Sequence, residues 1–437
     1  MPHAYPQQLA DLVRQRWSAL HARPPGDPEP GTQICSLPDA PALEQILSTV
    51  YQATLLREEE RPVTFRLIVG SPRSFAPDAG PPFGLHRLVF TQPRALTEHE
   101  LRRLSPAAKY HRSLIGIDKD ADGEYVIWGI LQSGPRWLDS VRGGRRSNPT
   151  LPAAKRVVRA TGPGRVAVAS GSVTLGALRG GSVSASTNDL FDSKWLPAMF
   201  RRERAEIDLL HGEARSASAE PWAELGEDLT RMLSQQMVKR IIATMRSIHH
   251  GGMLVLLPSE GTEEVMRGVL DLKYAFEDAE PRRRFRTLIL AVMRSLAETH
   301  SERVGWSAYG SSDSRALASL DEAVFEVSHL IAGLADVDGA VVMNKRFEVF
   351  GFGCEILSGV LSEVRTVRRA LDLEGTLHEE ETVENVGTRH RSAYRLCSRV
   401  HDALVVVVSH DGTVRFVTWK DGAVTYWDHV SVGSPEG

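Results

Sequence analysis

The chain has 437 residues, with 52 Lys and Arg against 55 Asp and Glu and a formal net charge of -3; at about 150 residues per domain, this length makes two or three domains. Hydrophobic residues at 42% and charged residues at 24% suit a soluble globular protein, and the near-neutral balance argues against a polycation that coats nucleic acid or an anionic membrane. No segment reaches the about 18 apolar residues of a membrane span, the start Met1-Pro2-His3 lacks a basic region followed by an apolar one, and Cys35, Cys354 and Cys397 form no CxxC pair, so the expectation is a reducing, cytoplasmic setting without membrane or nucleic-acid partners.

Leu9, Leu12, Val13, Trp17 and Leu20 predict an amphipathic helix over 7–20. The Pro- and Gly-rich segment 24–30 reads as a linker, and 43–56 as a second helix. From Arg61 the period shortens. Strands are expected at 63–69 and 85–90, then a hairpin of 114–117 and 125–131 around Asp120-Ala121-Asp122-Gly123. A second hairpin pairs 165–169 with 173–178 around Ser170-Gly171. Helices follow over 195–210 and 222–248. Gly251-Gly252 introduces a buried strand over 253–257, and helices are expected over 263–274 and 284–300.

The small polar stretch 305–314 reads as a loop at a domain boundary. Beyond it, Leu317, Leu320, Val324, Val327, Leu330, Ile331 and Leu334 follow helical spacing. Strands are expected at 340–343, 348–352, 404–409, 414–419 and 423–427, with tight turns at Asp411-Gly412 and Asp421-Gly422. Between them lie a helical segment, 361–371, an acidic stretch, 374–384, and a helix over about 388–398. No internal repeat is visible.

Two short constellations carry chemistry. In Gly387-Thr388-Arg389-His390-Arg391, a helix start offers unpaired backbone N–H groups and a partial positive charge. Thr388 is a candidate cap, and Arg389 and Arg391 present forks that match phosphate oxygens. By composition alone, such a segment is more often a solvated basic turn, like 142–146 or 282–286. In Asp338-Gly339-Ala340, a carboxylate at a strand start is able to hold a divalent cation, and small residues let a ligand approach the backbone. Alone, it reads more readily as a helix-stopping Asp-Gly turn. His249-His250 reads as a capped helix end, Asp313 among serines lacks a histidine for a triad, Glu379-Glu380-Glu381 reads as a solvated loop, and Gly351-x-Gly353 lacks the third glycine of a dinucleotide fingerprint.

Taken together, Asp338-Gly339-Ala340, Gly387-Thr388-Arg389-His390-Arg391 and the apolar strand from Asp402-Ala403-Leu404 to Ser409 resemble the diadenylate cyclase domain, over residues 315 to 430. The resemblance implies an enzyme that makes cyclic di-AMP and pyrophosphate from two ATP, with Mg2+ or Mn2+. It implies a metal on Asp338, a nucleotide lined by Gly339, Ala340 and Ile356, a triphosphate held by Thr388, Arg389, His390 and Arg391, and phosphate or ribose at Ser409. A product ring built from two ATP implies two chains with facing sites, as a homodimer or higher oligomer. The family usually has two glutamates after that serine; here His410 and Asp411 follow, and Asp411 is the residue placed to take over a metal-binding role.

Upstream, Leu104-Ser105-Pro106-Ala107, the segment Ile127 to Gly134, Gly162-Pro163-Gly164 and Lys194-Trp195-Leu196-Pro197 resemble a probable sensor module of the DACNV type, whose ligand is unknown. The expected fold class is α/β (α+β): a mixed sheet flanked by helices, preceded by a separate mixed α/β domain. The expected organisation is an N-terminal helix and linker over 1–40, the sensor over 41–300 and the cyclase-like domain over 301–437. The alternative to a working enzyme is a nucleotide-binding sensor that keeps the fold.

Overall fold

The computed structural model describes residues 3–21, 37–75, 86–110, 113–132, 156–170, 173–184 and 189–429, the last range excepting 249, 278, 301, 313, 358, 360, 385 and 411. The segment 24–30, Gly171, His249, Asp313 and Asp411, each singled out above, lie outside the described residues. Among the described residues the chain forms eleven α-helices and three sheets in two compact units, within Met1–Thr187 and Asn188–Val430. The mixed α/β class holds in both.

In the first unit the elements are α1 (Pro6–His21), α2 (Ala40–Leu55), the small hairpin β1 (Arg57–Glu58) and β2 (Arg61–Pro62), β3 (Phe65–Val69), β4 (His86–Ala95), α3 (Glu98–Leu104), β5 (Ser113–Lys119), β6 (Tyr125–Gln132), β7 (Arg156–Gly162), β8 (Arg165–Ser170), β9 (Val173–Arg179) and β10 (Ser182–Ser184). Eight strands form one sheet in the order β10-β9-β8-β7-β3-β5-β6-β4, antiparallel except for β3 against β5. Asp39 starts α2 by accepting the Ala42 N–H at 2.9 Å. The apolar stripes of α1 and α2 (Leu9, Val13, Leu43, Leu47) then bury the inward residues of the sheet, among them Phe65, Leu67 and Ile115. The β5–β6 turn closes because Asp120 Oδ1 accepts the N–H groups of Asp122 and Glu124, both at 3.0 Å. On the other face, the Trp128 indole donates to the Gly70 carbonyl at 2.9 Å. Its ring occupies the space above Gly116, where a Cβ would lie 2.0 Å from it.

The second unit contains α4 (Trp195–Ala198), α5 (Arg201–Ala217), α6 (Asp228–Ile248), β11 (Gly252–Leu257), α7 (Thr262–Val269), β12 (Leu270–Ala275), α8 (Ala279–Thr299), α9 (Trp306–Ser311), α10 (Arg315–Leu334), β13 (Ala340–Asn344), β14 (Val349–Ile356), β15 (Thr366–Ala370), β16 (His378–Thr382), α11 (Thr388–Arg399), β17 (Leu404–Val408), β18 (Val414–Lys420) and β19 (Ala423–His429). Nine strands make one sheet, β12-β14-β13-β11-β17-β18-β19-β15-β16. Only β11–β13 and β15–β19 are parallel. Helices α6, α8 and α10 cover one face through Met237, Ile241, Val292 and Ile331. Helix α11 covers the other through Ala393, Leu396 and Cys397. The central strands are therefore buried on both sides, which is why Leu254–Leu257 and Leu404–Val408 read as unbroken apolar runs.

Several elements differ from the sequence expectation. Contacts divide the chain between Thr187 and Asn188, not at 300/301, because β11 sits in the middle of the second sheet between β13 and β17. The helix expected over 263–274 ends at Val269, and Leu270–Ala275 continues as an edge strand paired with β14. The segment expected to be helical at 361–371 holds β15 instead, which is parallel to β19. Part of the acidic stretch is β16, with Glu379, Glu380 and Glu381 opposite Arg369, Arg368 and Val367. Cross-strand charge pairing thus fixes residues whose composition alone suggests a loop. Trp306–Ser311, read as loop, is one short helix, and the helix expected over 195–210 is broken at Met199-Phe200.

Candidate functional site

Strand register brings three chain ends to one edge of the second sheet. Met253 of β11 stands beside Ala340 of β13 in parallel, while Gly252 faces Val408 of β17 in antiparallel. The residues just before β11 and β13 and just after β17 therefore gather together: Gly251, Asp338-Gly339 and Ser409-His410. Cys354 of β14 pairs with Ala340, which carries Ile356 toward the level of Asp338. Helix α11 begins at this edge, and its first residues face it.

Arg389 links these pieces. Its Nη2 lies 3.7 Å from Asp338 Oδ1. A Cβ built on Gly251 would lie 3.0 Å from Arg389 Nη1, 3.1 Å from the His410 nitrogen and 2.9 Å from the Val408 carbonyl oxygen. Gly251 has φ +72°, so backbone conformation and space both call for glycine. The Asp338 side chain is 97% exposed, and its Oδ1 accepts the Gly339 N–H at 3.2 Å. The expectation that Gly339 leaves room for a ligand meets a different fact. At φ +113° its missing Cβ position is 2.6 Å from the Gly353 carbonyl carbon, so the backbone of β14 fills that space.

The remaining residues singled out by sequence fall as follows. Gly387 is the N-cap of α11 and supplies no side-chain bond, so Thr388 is the first helical residue and not the cap. Its side chain is exposed, as is that of Arg391. His390 is half-buried, its ring 6.5 Å from Tyr394. Ser409 donates its N–H to the Thr413 carbonyl at 2.8 Å and accepts the Gly412 N–H at 2.9 Å, closing a turn that holds His410 exposed. Ala340 and Ile356 are buried in the core on the α11 side. Asp411 is outside the described residues.

The helix is held from behind by a polar network. Tyr426 donates its hydroxyl to Glu381 Oε2 at 2.6 Å, and the Arg415 guanidinium sits 4.5 Å from the Tyr426 ring while Nε donates to Asp428 at 2.7 Å. Tyr394, one turn along α11 from His390, stacks near Tyr426 at 6.0 Å. Burial pushes the Tyr394 hydroxyl up to about 12. Burial likewise raises Cys354 to about 12 and Cys397 above the ordinary thiol range, so neither thiol is a ready nucleophile.

Sequence reasoning read His249-His250 as a helix end and Gly251-Gly252 as a strand start without tying either to the site, and did not single out Asp336. His250 Nδ1 lies 3.8 Å from Asp336 Oδ1. The Gly251-Gly252 doublet does mark a strand start, but only the pairing of distant strands shows which edge it borders. Among the described residues no group of three His, Cys, Asp or Glu side chains is placed to hold a metal ion. The single exposed carboxylate of Asp338 suits a hard cation that takes its other ligands from phosphate oxygens and water, as Mg2+ does.

No helix among the described residues is long and apolar enough to cross a membrane. No curated protein matches the chain. A family model, the probable sensor domain DACNV, matches residues 32–132, a stretch that lies within the first unit.

Proposed function

We propose that the chain is a diadenylate cyclase that condenses two ATP into cyclic di-AMP and two pyrophosphates, with its first unit acting as the sensor that controls the second. The observation that carries this reading is the gathering of the Asp338 carboxylate, the Arg389 guanidinium and the start of α11 at one sheet edge. An anion at that point meets free N–H groups, the positive end of the helix and an arginine fork together.

In each of two symmetric steps the ribose 3′-oxygen of one ATP forms a bond to the α-phosphorus of the other. The bond from that phosphorus to the bridging oxygen of pyrophosphate breaks, and the hydroxyl proton passes to solvent. Arg389, His390 and Arg391 hold the polyphosphate and neutralise the charge that grows on the departing pyrophosphate. Asp338, with Asp411 assigned by the resemblance alone, would hold Mg2+ or Mn2+, which when bound neutralises phosphate charge and favours the ionised hydroxyl. Ser409 contacts phosphate or ribose, while Gly339, whose open side is filled by β14, and Ala340 and Ile356, buried in the core on the α11 side, belong to the frame behind this edge. Alignment of the two nucleotides supplies much of the rate. It requires two copies of the second unit with their sites opposed across a two-fold axis.

His410 favours a second reading: a nucleotide-binding sensor that keeps the fold without turnover. An imidazole is a poor ligand for Mg2+ beside an oxygen donor, and better suited to Mn2+ or Co2+. Calorimetric titration with ATP, paired with mass spectrometry of the mixture, tests both. The enzyme reading expects ATP binding that depends on Arg389, formation of cyclic di-AMP, and a faster rate in His410→Glu. Binding without product, in wild type and His410→Glu alike, selects the second reading.

A further inference from the structure

The second unit opens with a segment that is tied down repeatedly. The chain passes from the first unit to the second between Thr187 and Asn188. Asp189 then accepts the Phe191 N–H at 3.1 Å and Lys239 Nζ at 3.0 Å, and Gln235 of α6 donates to the Phe191 carbonyl at 3.0 Å. Further along, the Lys194 N–H donates to Glu374 Oε1 and the Trp195 indole N–H to the Leu373 carbonyl, both at 2.8 Å. The Trp195 ring stacks on the buried Trp427 of β19, with centroids 4.3 Å apart. Gly375, at φ +67°, lies against the same ring: a Cβ there would be 2.6 Å from Trp427.

Leu373, Glu374 and Gly375 belong to the connection between β15 and β16, at the outer edge of the sheet. Backbone pairing holds this hairpin lightly. β15 meets β19 only at Arg368–Thr425 and Arg369–Tyr426, whereas β18 and β19 pair from Val414–His429 to Lys420–Ala423. Leu371 and Leu377, which flank the connection, are 48% and 65% exposed. Sparse pairing at an exposed edge marks an element that opens at low free energy. Val367 and Val383 anchor one end of the hairpin in the core on the α11 side. Lys194 and Trp195 hold the other.

The hairpin also supports the helix that starts at the candidate site. Glu381 of β16 accepts the Tyr426 hydroxyl at 2.6 Å, and Tyr426 stacks 6.0 Å from Tyr394 of α11. A line of contacts thus runs from Trp195 through β15 and β16 to α11, whose first turn carries Arg389 and Arg391.

We propose that residues 189–195 are a clasp through which the first unit sets the order of the β15–β16 hairpin, and with it the order of α11. With Trp195 on Trp427 the hairpin is closed and α11 is held. With the clasp released, the hairpin opens at its connection and the Tyr426 support of α11 loosens, an order–disorder switch of one segment. This rests on the reading of the first unit as the sensor of the second. It does not rest on turnover, because order is read without nucleotide.

The test is hydrogen exchange followed by mass spectrometry on the full-length protein, with no nucleotide added. Trp195→Ala should speed exchange about 10-fold over 371–382 and about 3-fold over 391–396, while 253–257 and 404–408 in the central strands keep the wild-type rate. Glu374→Ala, which removes one tie at a partly exposed position, should speed the same two segments about 2-fold. Exchange over 391–396 that is unchanged in both variants, or that rises in both only together with the central strands, overturns the proposal.

Discussion

Asp338 Oδ1 and Arg389 Nη2 stand 3.7 Å apart, close enough for an ion pair yet too far for a hydrogen bond. Neither group is consumed by the other. The carboxylate keeps a free face in solvent, and the guanidinium keeps donors for an incoming anion. An exposed pair of this kind contributes only about 0–1 kcal/mol to stability, so its loss should cost the fold little.

Asp338→Asn should therefore leave the thermal midpoint almost unchanged, with a stability difference within about 0.5 kcal/mol, while removing cyclic di-AMP formation. Thermal melting and a product assay on the same sample check it. Full activity in the variant contradicts the role given to the carboxylate.

Gly251→Ala should act on both stability and the site. The left-handed backbone there costs a side chain about 1–2 kcal/mol. The new Cβ also presses on Arg389 and on the Val408 and His410 backbone. The expected outcome is a lower melting temperature together with ATP affinity reduced by more than tenfold in calorimetry. An unchanged affinity would remove Gly251 from the site.

The position of β11 makes a sharper prediction about boundaries. A fragment of residues 301–437 lacks the strand that joins β13 to β17, and both partners would expose their apolar edges. It should be unfolded or aggregated by circular dichroism and size-exclusion chromatography, whereas a fragment of residues 188–437 should melt cooperatively.

What the sequence disclosed follows from how local each signal is. The stripe Leu317 to Leu334, the turns at Asp120 and Asp421, and the runs 253–257 and 404–408 need only near neighbours, and they reappear as α10, hairpins and central strands. Residues 270–275 and 366–370 become strands only because β14 and β19 offer them edges, information held by residues far along the chain. In the candidate site, Asp338 and the segment 387–391 were legible as motifs. That Gly251 touches them was not, since a glycine doublet before a strand says nothing about which strands flank it. The space expected at Gly339 is likewise occupied by Gly353, where the register of β13 against β14 shifts; two glycines in one strand are able to mark such a bulge, but not which neighbour it fills.

Alkaline pH should loosen the second unit. Burial raises Tyr394, Tyr426, Cys354 and Cys397 above their ordinary values, so each keeps its proton in the folded chain after the unfolded chain has lost it. A group raised in this way stabilises below its unfolded pKa and loses that contribution as pH climbs toward the folded one. Stability in denaturant titrations should thus fall from about pH 9, where thiols begin to ionise, toward 12. Tyr394→Phe should flatten part of the slope between 10 and 12. A slope identical to wild type would deny Tyr394 that share.

The most direct measurement is mass spectrometry of the purified full-length protein after incubation with ATP and Mn2+. The account predicts a new species with the mass of cyclic di-AMP and two pyrophosphates for each molecule formed. ATP recovered intact, from a protein shown by calorimetry to bind none, would contradict it.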